Sequence, residues 1–425
     1  MSNALAFSTV RTEIGGRPVA ELVERFGSPT YVYDLETVGR RIEELRAFDV
    51  IRYAQKANSN LAVLGYMRGR GVRVDAVSAG EIARALRVGF QPGHAPAEIV
   101  YTADIFDREA LDLVVRHQLL ANLGSPDMID QLGSVAPGSP IILRVNPGFG
   151  HGHSQKTNTG GPQSKHGIWH EQVSECVARA RKYQLNIVGL HMHIGSGTDL
   201  EHLGQVCGAM EDMAKTDGID VHTISAGGGL PIAYRAEQET VDLGRYFELW
   251  SETRRRLEEH VGHAIELEIE PGRYLVAESG YLVSEIRAIK RMGDNLFYLV
   301  DAGFNNLARP ILYGAYHPIS ICPRQPRDLG PEQDVIVGGP LCESGDIFTQ
   351  EEGGFVAKRS LPKAKVGDWL ILERAGAYGA VMASNYNSKP FAAEVVVREG
   401  AAHLARARQT AEDLMRGEVP FEELS

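Results

Sequence analysis

An eight-fold β/α (TIM) barrel followed by a mainly antiparallel β domain is the fold class this sequence predicts. Three observations predict it. From about residue 50, eight short apolar runs recur, each bounded by Gly, Pro, Asn or Ser. Segments with apolar residues at helical spacing lie between the runs. After about residue 285 the alternation stops, and β-type runs with glycine turns take over.

The eight runs, in order, are "VIRYAQ", "VRVDAVS", "EIVYTA", "LLANLGS", "IILRVNP", "IVGLHMHIG", "HTISAGGG" and "IELEIEPG". Each is short and rich in β-branched residues, as a strand requires. Intervening stretches such as "AGEIARALRVG" and "HEQVSECVARARKYQ" carry the helical period. Strands that alternate with helices form a parallel sheet. Eight such units over about 250 residues fit a closed barrel, with an open doubly wound sheet as the alternative. Beyond it, "RAIKRMGDNLFYLVDAG", "DVIVGGPLCESGD" and "KVGDWLILERAGAYG" read as antiparallel strands, and "RQTAEDLMRGE" as a closing helix. The expected domains are a barrel over residues 31–284 and a β domain over 285–425, with residues 1–30 packing against the latter. "PTYVYD" near the start is one more β-like run.

Composition narrows the function. A hydrophobic fraction of 43% and a charged fraction of 23% are those of a soluble globular chain, and 425 residues suffice for two domains. No run reaches the roughly 18 to 20 apolar residues of a membrane helix. The N-terminus lacks a basic segment followed by an apolar one, so no secretory signal is read. Cys176, Cys207, Cys322 and Cys342 are widely spaced, which fits free thiols in the cytoplasm better than disulfides. A net charge of −11 argues against nucleic acid as a partner.

In a β/α barrel, functional groups stand at the C-terminal ends of the strands. Those ends carry Lys56, Asp75, Ser125, Arg144 with Asn146, His193, Gly227 to Gly229, and Glu270 with Arg273. One polar residue at a strand end needs no function, but a set facing one pocket does. In "SAGGGL", Gly227, Gly228 and Gly229 let backbone N–H groups approach an anion, at the usual phosphate position of this fold. Arg273 in "EPGR" adds positive charge. A phosphate site, a lysine and a glutamate together suit pyridoxal 5'-phosphate. Lys56 would form the Schiff base, its amine made nucleophilic by desolvation and nearby cations. Glu270 would face the pyridine nitrogen and keep it protonated. His193 would lie flat on the ring, with Ser196 and Gly197 as further phosphate contacts. Asp75 and Arg144 complete the cofactor-binding set. His191 and His193 alternate as metal-binding pairs sometimes do, but no third ligand joins them, so no metal is expected.

"YAQKANSN", "VDAVSAGE", "LRVNPG", "HMHIGSG", "SAGGGL", "EPGR", "GPLCESGD" and "GAYG…SNYN" occur in this order. The set resembles the fold-type III pyridoxal-phosphate-dependent decarboxylases, from "PTYVYD" to the last helix. The loop "NPGFGHGHSQKTNTGGPQSKHGIW" looks like their diaminopimelate branch rather than the ornithine or arginine branches. The resemblance implies a cofactor-carrying barrel, a β domain and a head-to-tail homodimer with shared active sites. It puts the Schiff base on Lys56, ring stacking on His193, the pyridine partner on Glu270, and phosphate contacts on Ser196 and Gly227 to Gly229. Tyr378 would reach cofactor and substrate. Cys342 and Glu343 would come from the second subunit.

The implied reaction is decarboxylation of meso-2,6-diaminopimelate to L-lysine and CO2, the last step of lysine biosynthesis. The unreacted end of that substrate presents a carboxylate beside an ammonium. Arg273, Arg309 and Tyr313 would hold the carboxylate, and Glu343 the ammonium. Without the resemblance, Arg309 and Tyr313 read as a surface turn. Cys342, with an ordinary thiol pKa of about 8.5, would donate the proton to Cα; otherwise it reads as a small buried residue. The alternatives are a decarboxylase of another amino acid or of a carboxylated polyamine, a racemase that keeps the carboxylate, and a binding protein that has lost catalysis. Lys56, Glu270 and Cys342 are all present, against the last of these. No role is read for Glu373 and Arg374, while His151 and His153 suit either a lid or a plain loop.

Overall fold

A computed structural model describes residues 7–149, 160–193 and 199–424. Among the described residues the eight apolar runs form eight strands. They are β1 (Val50–Ala54), β2 (Arg73–Ala76), β3 (Ile99–Ala103) and β4 (Leu120–Leu123), then β5 (Pro140–Asn146), β6 (Asn186–His191), β7 (Thr223–Ser225) and β8 (Glu266–Ile269). Neighbours pair in parallel around the sheet, and β8 pairs back onto β1 with Glu268 opposite Val50 and Ile269 opposite Ile51. That last pairing closes the barrel and sets aside the open sheet.

The loops leaving the first three strands are short and end in residues that cap the next helix. Asn60 accepts from the Ala62 N–H at 2.9 Å and starts α1 (Leu61–Arg68). Ser78 accepts from the Glu81 N–H at 3.2 Å and starts α2 (Ala79–Val88). Asp107 accepts from the Ala110 N–H at 2.7 Å and starts α3 (Arg108–Arg116). Each such cap satisfies one of the N–H groups that a helix start leaves without a partner. Rigid loops of this kind hold the residues between strand and cap in one place.

One ion pair fastens the closure. On β1, Arg52 donates from Nε to Glu268 Oε1 at 2.7 Å and from Nη2 to Oε2 at 2.6 Å. Its Nη1 donates to the Ala97 carbonyl at 2.9 Å. Both side chains are 2% exposed, so the pair ties the first strand to the last inside the core.

The chain divides into two compact units. The barrel unit comprises Gly39–Ile232 and Glu239–Leu275; the other comprises the chain up to Val38, Ala233–Gln238, and Val276 onward. The boundaries thus differ from the expected 31–284 and 285–425. The run "TYVYD" forms the strand Thr30–Asp34, which is buried at four of its five positions. A strand so buried takes a partner on each edge, and the second unit supplies both. Gly280–Met292 pairs with it antiparallel and Ala393–Arg398 pairs with it parallel. The strand Asn295–Val300 also pairs in parallel, with Gln333–Gly338, while the unit's other named pairings are antiparallel. Ile14, Val19 and Leu22 pack in the same core as Val32, Val283, Trp369 and Val395. The closing helix is Ala411–Met415, started by a Thr410–Asp413 capping box.

Arg52→Leu leaves Glu268 buried without its partner and lowers unfolding stability by about 3–5 kcal/mol. Replacing both residues by leucine costs less than the single change. Chemical denaturation of the two variants checks this; equal losses would contradict it.

Candidate active site

Lys56 lies in the single 3-10 turn Gln55–Ala57 that follows β1. The loop around it is fixed by its own side chains. Asn58 Oδ1 accepts from the Asn60 N–H at 3.1 Å, and the Asn58 carbonyl accepts from the Tyr53 hydroxyl at 2.9 Å. Gln55 and Ala57 are fully buried on either side, while Lys56 is exposed. Burial therefore does not strip its amine of water as the sequence reading expects. Its charge instead reaches Asp75, Glu81 and His193.

Two buried carboxylates that feel each other's charge stand at this end of the barrel, and their pKa values are shifted in opposite directions. Asp75, on β2, is 3% exposed, and its Oδ1 has no hydrogen-bond partner. Burial, then the negative charge of Glu270, pushes the Asp75 carboxyl well above the usual range; a hydrogen bond from Thr102 and the charge of Lys56 oppose this only in part. Glu270, just after β8, is 6% exposed. Burial alone would raise it too. His191, Arg52 and Arg144 outweigh that and hold it below the usual carboxylate range. The decisive contact is His191 Nε2, which donates to Glu270 Oε2 at 2.6 Å. The two carboxylates interact as like charges, and the arrangement favours the charge on Glu270 and the proton on Asp75.

His193 stands two residues past His191, beyond the end of β6. Its Nδ1 accepts from the Gly228 N–H at 2.8 Å. Burial, followed by the charges of Lys56 and Arg144, holds its pKa well below the ordinary histidine value, so the ring is neutral. The glycines of "SAGGGL" make this approach possible. A Cβ on Gly227 would lie 2.3 Å from the Met192 carbonyl, and one on Gly228 would lie 2.6 Å from the Glu270 carbonyl. The Gly227 N–H donates to Ser225 Oγ at 3.2 Å. Packing against His193 and Glu270 is thus the first reason for these glycines, alongside the anion role read from the sequence. Gly229 has φ +100°, a region that favours glycine. Arg144 is buried at the end of β5, and Arg273 is half-buried at the start of the single-turn helix Arg273–Val276. Ser196, Gly197, His151 and His153 lie outside the described residues.

The second unit holds the other expected site residues. Arg309 begins the short helix Arg309–Tyr313 and is 7% exposed, so it is not a surface-turn residue. Its Nη1 donates to His317 Nε2 at 3.0 Å and to the Tyr234 hydroxyl at 3.1 Å. His317 Nδ1 in turn donates to the Glu373 carbonyl at 2.9 Å, which fixes the tautomer whose Nε2 accepts. Glu373 receives Arg11 Nε at 2.7 Å and Ser320 Oγ at 2.7 Å on its carboxylate. Arg374 pairs with Glu278 at 2.6 Å. Both residues of "ERAGAYGA" left without a role in the sequence are therefore supports. Tyr313 is 39% exposed.

Cys342 and Glu343 are exposed. Their loop is shaped from behind by Asp346, which accepts from the Phe304 N–H at 2.7 Å and the Leu341 N–H at 2.8 Å. The Cys342 N–H donates to Asn387 Oδ1 at 2.8 Å, which gives the last Asn of "SNYN" a purpose. Tyr378 is half-buried with φ +56°, a left-handed conformation costing a non-glycine residue about 1–2 kcal/mol. The neighbouring Gly376 is forced, because a Cβ there would lie 1.9 Å from the Val276 carbonyl.

The barrel residues fit pyridoxal phosphate. Glu270 offers a carboxylate that stays ionised although buried, as a pyridine nitrogen requires. His193 offers a neutral ring, and Lys56 an accessible amine on a fixed loop. Sequence reasoning missed His191 as the partner of Glu270, and missed His317, Tyr234 and Asn387. For His191 the alternation in "HMH" was the available signal, since the second His lies past the strand. The other three act across long sequence separations, and their local sequence gives no sign of it.

Comparison with known proteins agrees with this chemistry. The family described as "Pyridoxal-dependent decarboxylase, pyridoxal binding domain" matches residues 35–277. The chain is 51% identical to the diaminopimelate decarboxylase of Escherichia coli K12 over 415 residues, 97% of this chain and 99% of that one. A crystal structure of diaminopimelate decarboxylase superposes with a TM-score of 0.93 at 50% identity, covering 97% of this chain and 99% of its own. The Helicobacter pylori diaminopimelate decarboxylase, solved in complex with L-lysine, gives a TM-score of 0.84 at 30% identity, covering 93% and 98%. The chain belongs to the pyridoxal-dependent decarboxylases and, within them, to the diaminopimelate decarboxylase family.

Proposed function

We propose that the site residues act in decarboxylation of meso-2,6-diaminopimelate to L-lysine and CO2, in a cytoplasmic homodimer with shared active sites. The observation that carries the chemistry is the buried Glu270 held by His191 at 2.6 Å, a contact that favours its ionised form. When bound, pyridoxal phosphate supplies an aldehyde that captures an amine and a ring that accepts the electrons left by departing CO2. Lys56 would hold the cofactor through its amine. Glu270 would keep a proton on the pyridine nitrogen, and the neutral His193 ring would help hold the cofactor. Gly227 to Gly229, Ser196 and Arg273 serve the phosphate, and Arg144, Asp75 and Tyr378 complete the cofactor contacts.

At the substrate, the Cys342 thiol gives its proton to the carbon that CO2 leaves. Arg309, Arg273 and Tyr313 hold the far carboxylate, and Glu343 its neighbouring ammonium. The burial of Arg309 and its fixed orientation support that role, because a forked carboxylate contact requires a guanidinium held in one plane. The exposure of Cys342 and Glu343 in a single chain supports their acting on a second subunit's site.

Purified chain supplied with pyridoxal phosphate should release CO2 and L-lysine from meso-diaminopimelate in equal amounts. Lys56→Ala should lose both the activity and the visible absorbance of the bound cofactor. Cofactor absorbance without either product would retire the substrate assignment and leave Lys56 in place.

His317→Ala should act through Arg309. Losing one hydrogen bond to a charged group costs about 1.5–3 kcal/mol, so KM for meso-diaminopimelate should rise about 10- to 100-fold, with kcat falling less. An unchanged KM would remove Arg309 from the substrate site.

A further inference from the structure

In the loop that exposes Cys342 and Glu343, three consecutive backbone N–H groups each have a protein acceptor. The Leu341 N–H donates to Asp346 Oδ2 at 2.8 Å. The Cys342 N–H donates to Asn387 Oδ1 at 2.8 Å. The Glu343 N–H donates to the Leu341 carbonyl at 2.8 Å. Water can satisfy such groups where a loop is exposed, so this row of acceptors constrains the loop beyond what burial demands.

The two side chains that hold Leu341 and Cys342 are themselves held. Asp346 is 3% exposed. Its Oδ1 accepts from the Phe304 N–H at 2.7 Å, and its carbonyl accepts from the Gly339 N–H at 2.9 Å. A Cβ on Gly339 would lie 2.3 Å from Asp346 Oδ2. Burial raises the Asp346 carboxyl above the ordinary aspartate value, and the Leu341 and Phe304 N–H groups and the charge of Lys389 oppose this. Asn387 has φ +54° and ψ +29°, and Ser388 beside it has φ +53°. Successive left-handed residues that are not glycine are unfavourable, although Asn tolerates the conformation better than most. Such a conformation persists where the surrounding structure imposes it. Phe304 and Asn305 join the two supports. The Phe304 ring lies 5.2 Å from that of Tyr386, and the Asn305 carbonyl accepts from the Ser384 N–H at 2.9 Å. Segments 303–306, 339–346 and 384–388 thus form one frame within one compact unit.

Resting on the reading of Cys342 as proton donor, we infer that Asp346 and Asn387 are positioning residues for its thiol. They act through the backbone of Cys342: one fixes the residue before it, the other its own N–H. The step they serve breaks the S–H bond and forms a C–H bond with the electron pair that CO2 leaves behind. The thiolate then regains its proton from water. Such a transfer needs donor and carbon held close and aligned, and a displacement of about 1 Å can cost about 100-fold. Because the frame lies within one chain, the thiol is set before it meets a second subunit's site.

The test compares the full-length, cofactor-loaded parent with Asp346→Asn, Asn387→Gly, Asn387→Asp and Cys342→Ala. Asparagine at 346 offers one acceptor oxygen to two N–H groups, and glycine at 387 keeps the left-handed backbone without the acceptor. Asp346→Asn and Asn387→Gly should each lower kcat for L-lysine formation at least about 10-fold, with KM for meso-diaminopimelate and the cofactor absorbance unchanged. Asn387→Asp still accepts from the Cys342 N–H and should restore most of the rate. In D2O the parent should place one deuterium on the decarboxylated carbon of L-lysine in a single configuration, read by NMR. The two slow variants should give both configurations, because solvent reaches that carbon from either face once the thiol is misplaced. A general loss of stability would not alter the configuration. Parent-like rate and configuration in Asp346→Asn and Asn387→Gly would overturn the inference, as would failure of Asn387→Asp to restore the rate. If Cys342→Ala is impaired and those variants are not, positioning alone fails; if Cys342→Ala is also unimpaired, the donor assignment fails with it.

Discussion

Pairing of β8 with β1 brings the loop that carries Lys56 beside the loop that carries Glu270. The Ala54 N–H donates to the Pro271 carbonyl at 3.2 Å, so the two loops are joined next to both residues. The same closure buries the Arg52–Glu268 pair, and two charges 2% exposed tolerate removal from water only when each satisfies the other. Arg52 also reaches further. Its charge is among those that hold Glu270 ionised. The pair that fastens the barrel is therefore also part of the electrostatics of the site above it.

That electrostatic arrangement sorts one proton between two acids. Asp75 is joined through Thr102 to Asn122, whose Nδ2 donates to Thr102 Oγ1 at 3.2 Å, so β2, β3 and β4 each supply one member. Thr102 and the charge of Lys56 oppose the rise at Asp75 only in part, and burial dominates. Glu270 meets His191 directly, and that contact together with Arg52 and Arg144 outweighs burial. Lys56 and Arg144 also keep His193 neutral. A buried anion, a neutral ring and an accessible amine at one end of a barrel are what a pyridine-based electron sink needs from its protein.

Much of this was legible in the sequence, for a physical reason. The eight strands are short apolar runs ended by turn residues, and that pattern needs no tertiary knowledge. The polar residues at their ends were legible because barrel geometry makes their positions meaningful. The unit boundary was less so: Thr30–Asp34 has strand chemistry, and only its partners Gly280–Met292 and Ala393–Arg398 decide which sheet it joins. The supports were not legible at all. His317 meets Arg309 across one helical turn and a loop, and Asn387 meets Cys342 across 45 positions. The Lys56 amine was expected to be activated in part by desolvation, yet fully buried Gln55 and Ala57 flank an exposed side chain.

The central claim is that the site favours the proton on Asp75 and the charge on Glu270. Infrared difference spectroscopy of the carboxyl stretch, recorded at pH 6, about two units above the ordinary Asp value, reads it directly. A protonated-carboxyl band should be present in the parent chain, absent in Asp75→Asn, and retained in Glu270→Gln. A band that survives Asp75→Asn but disappears in Glu270→Gln would place the proton on the wrong acid and contradict the account.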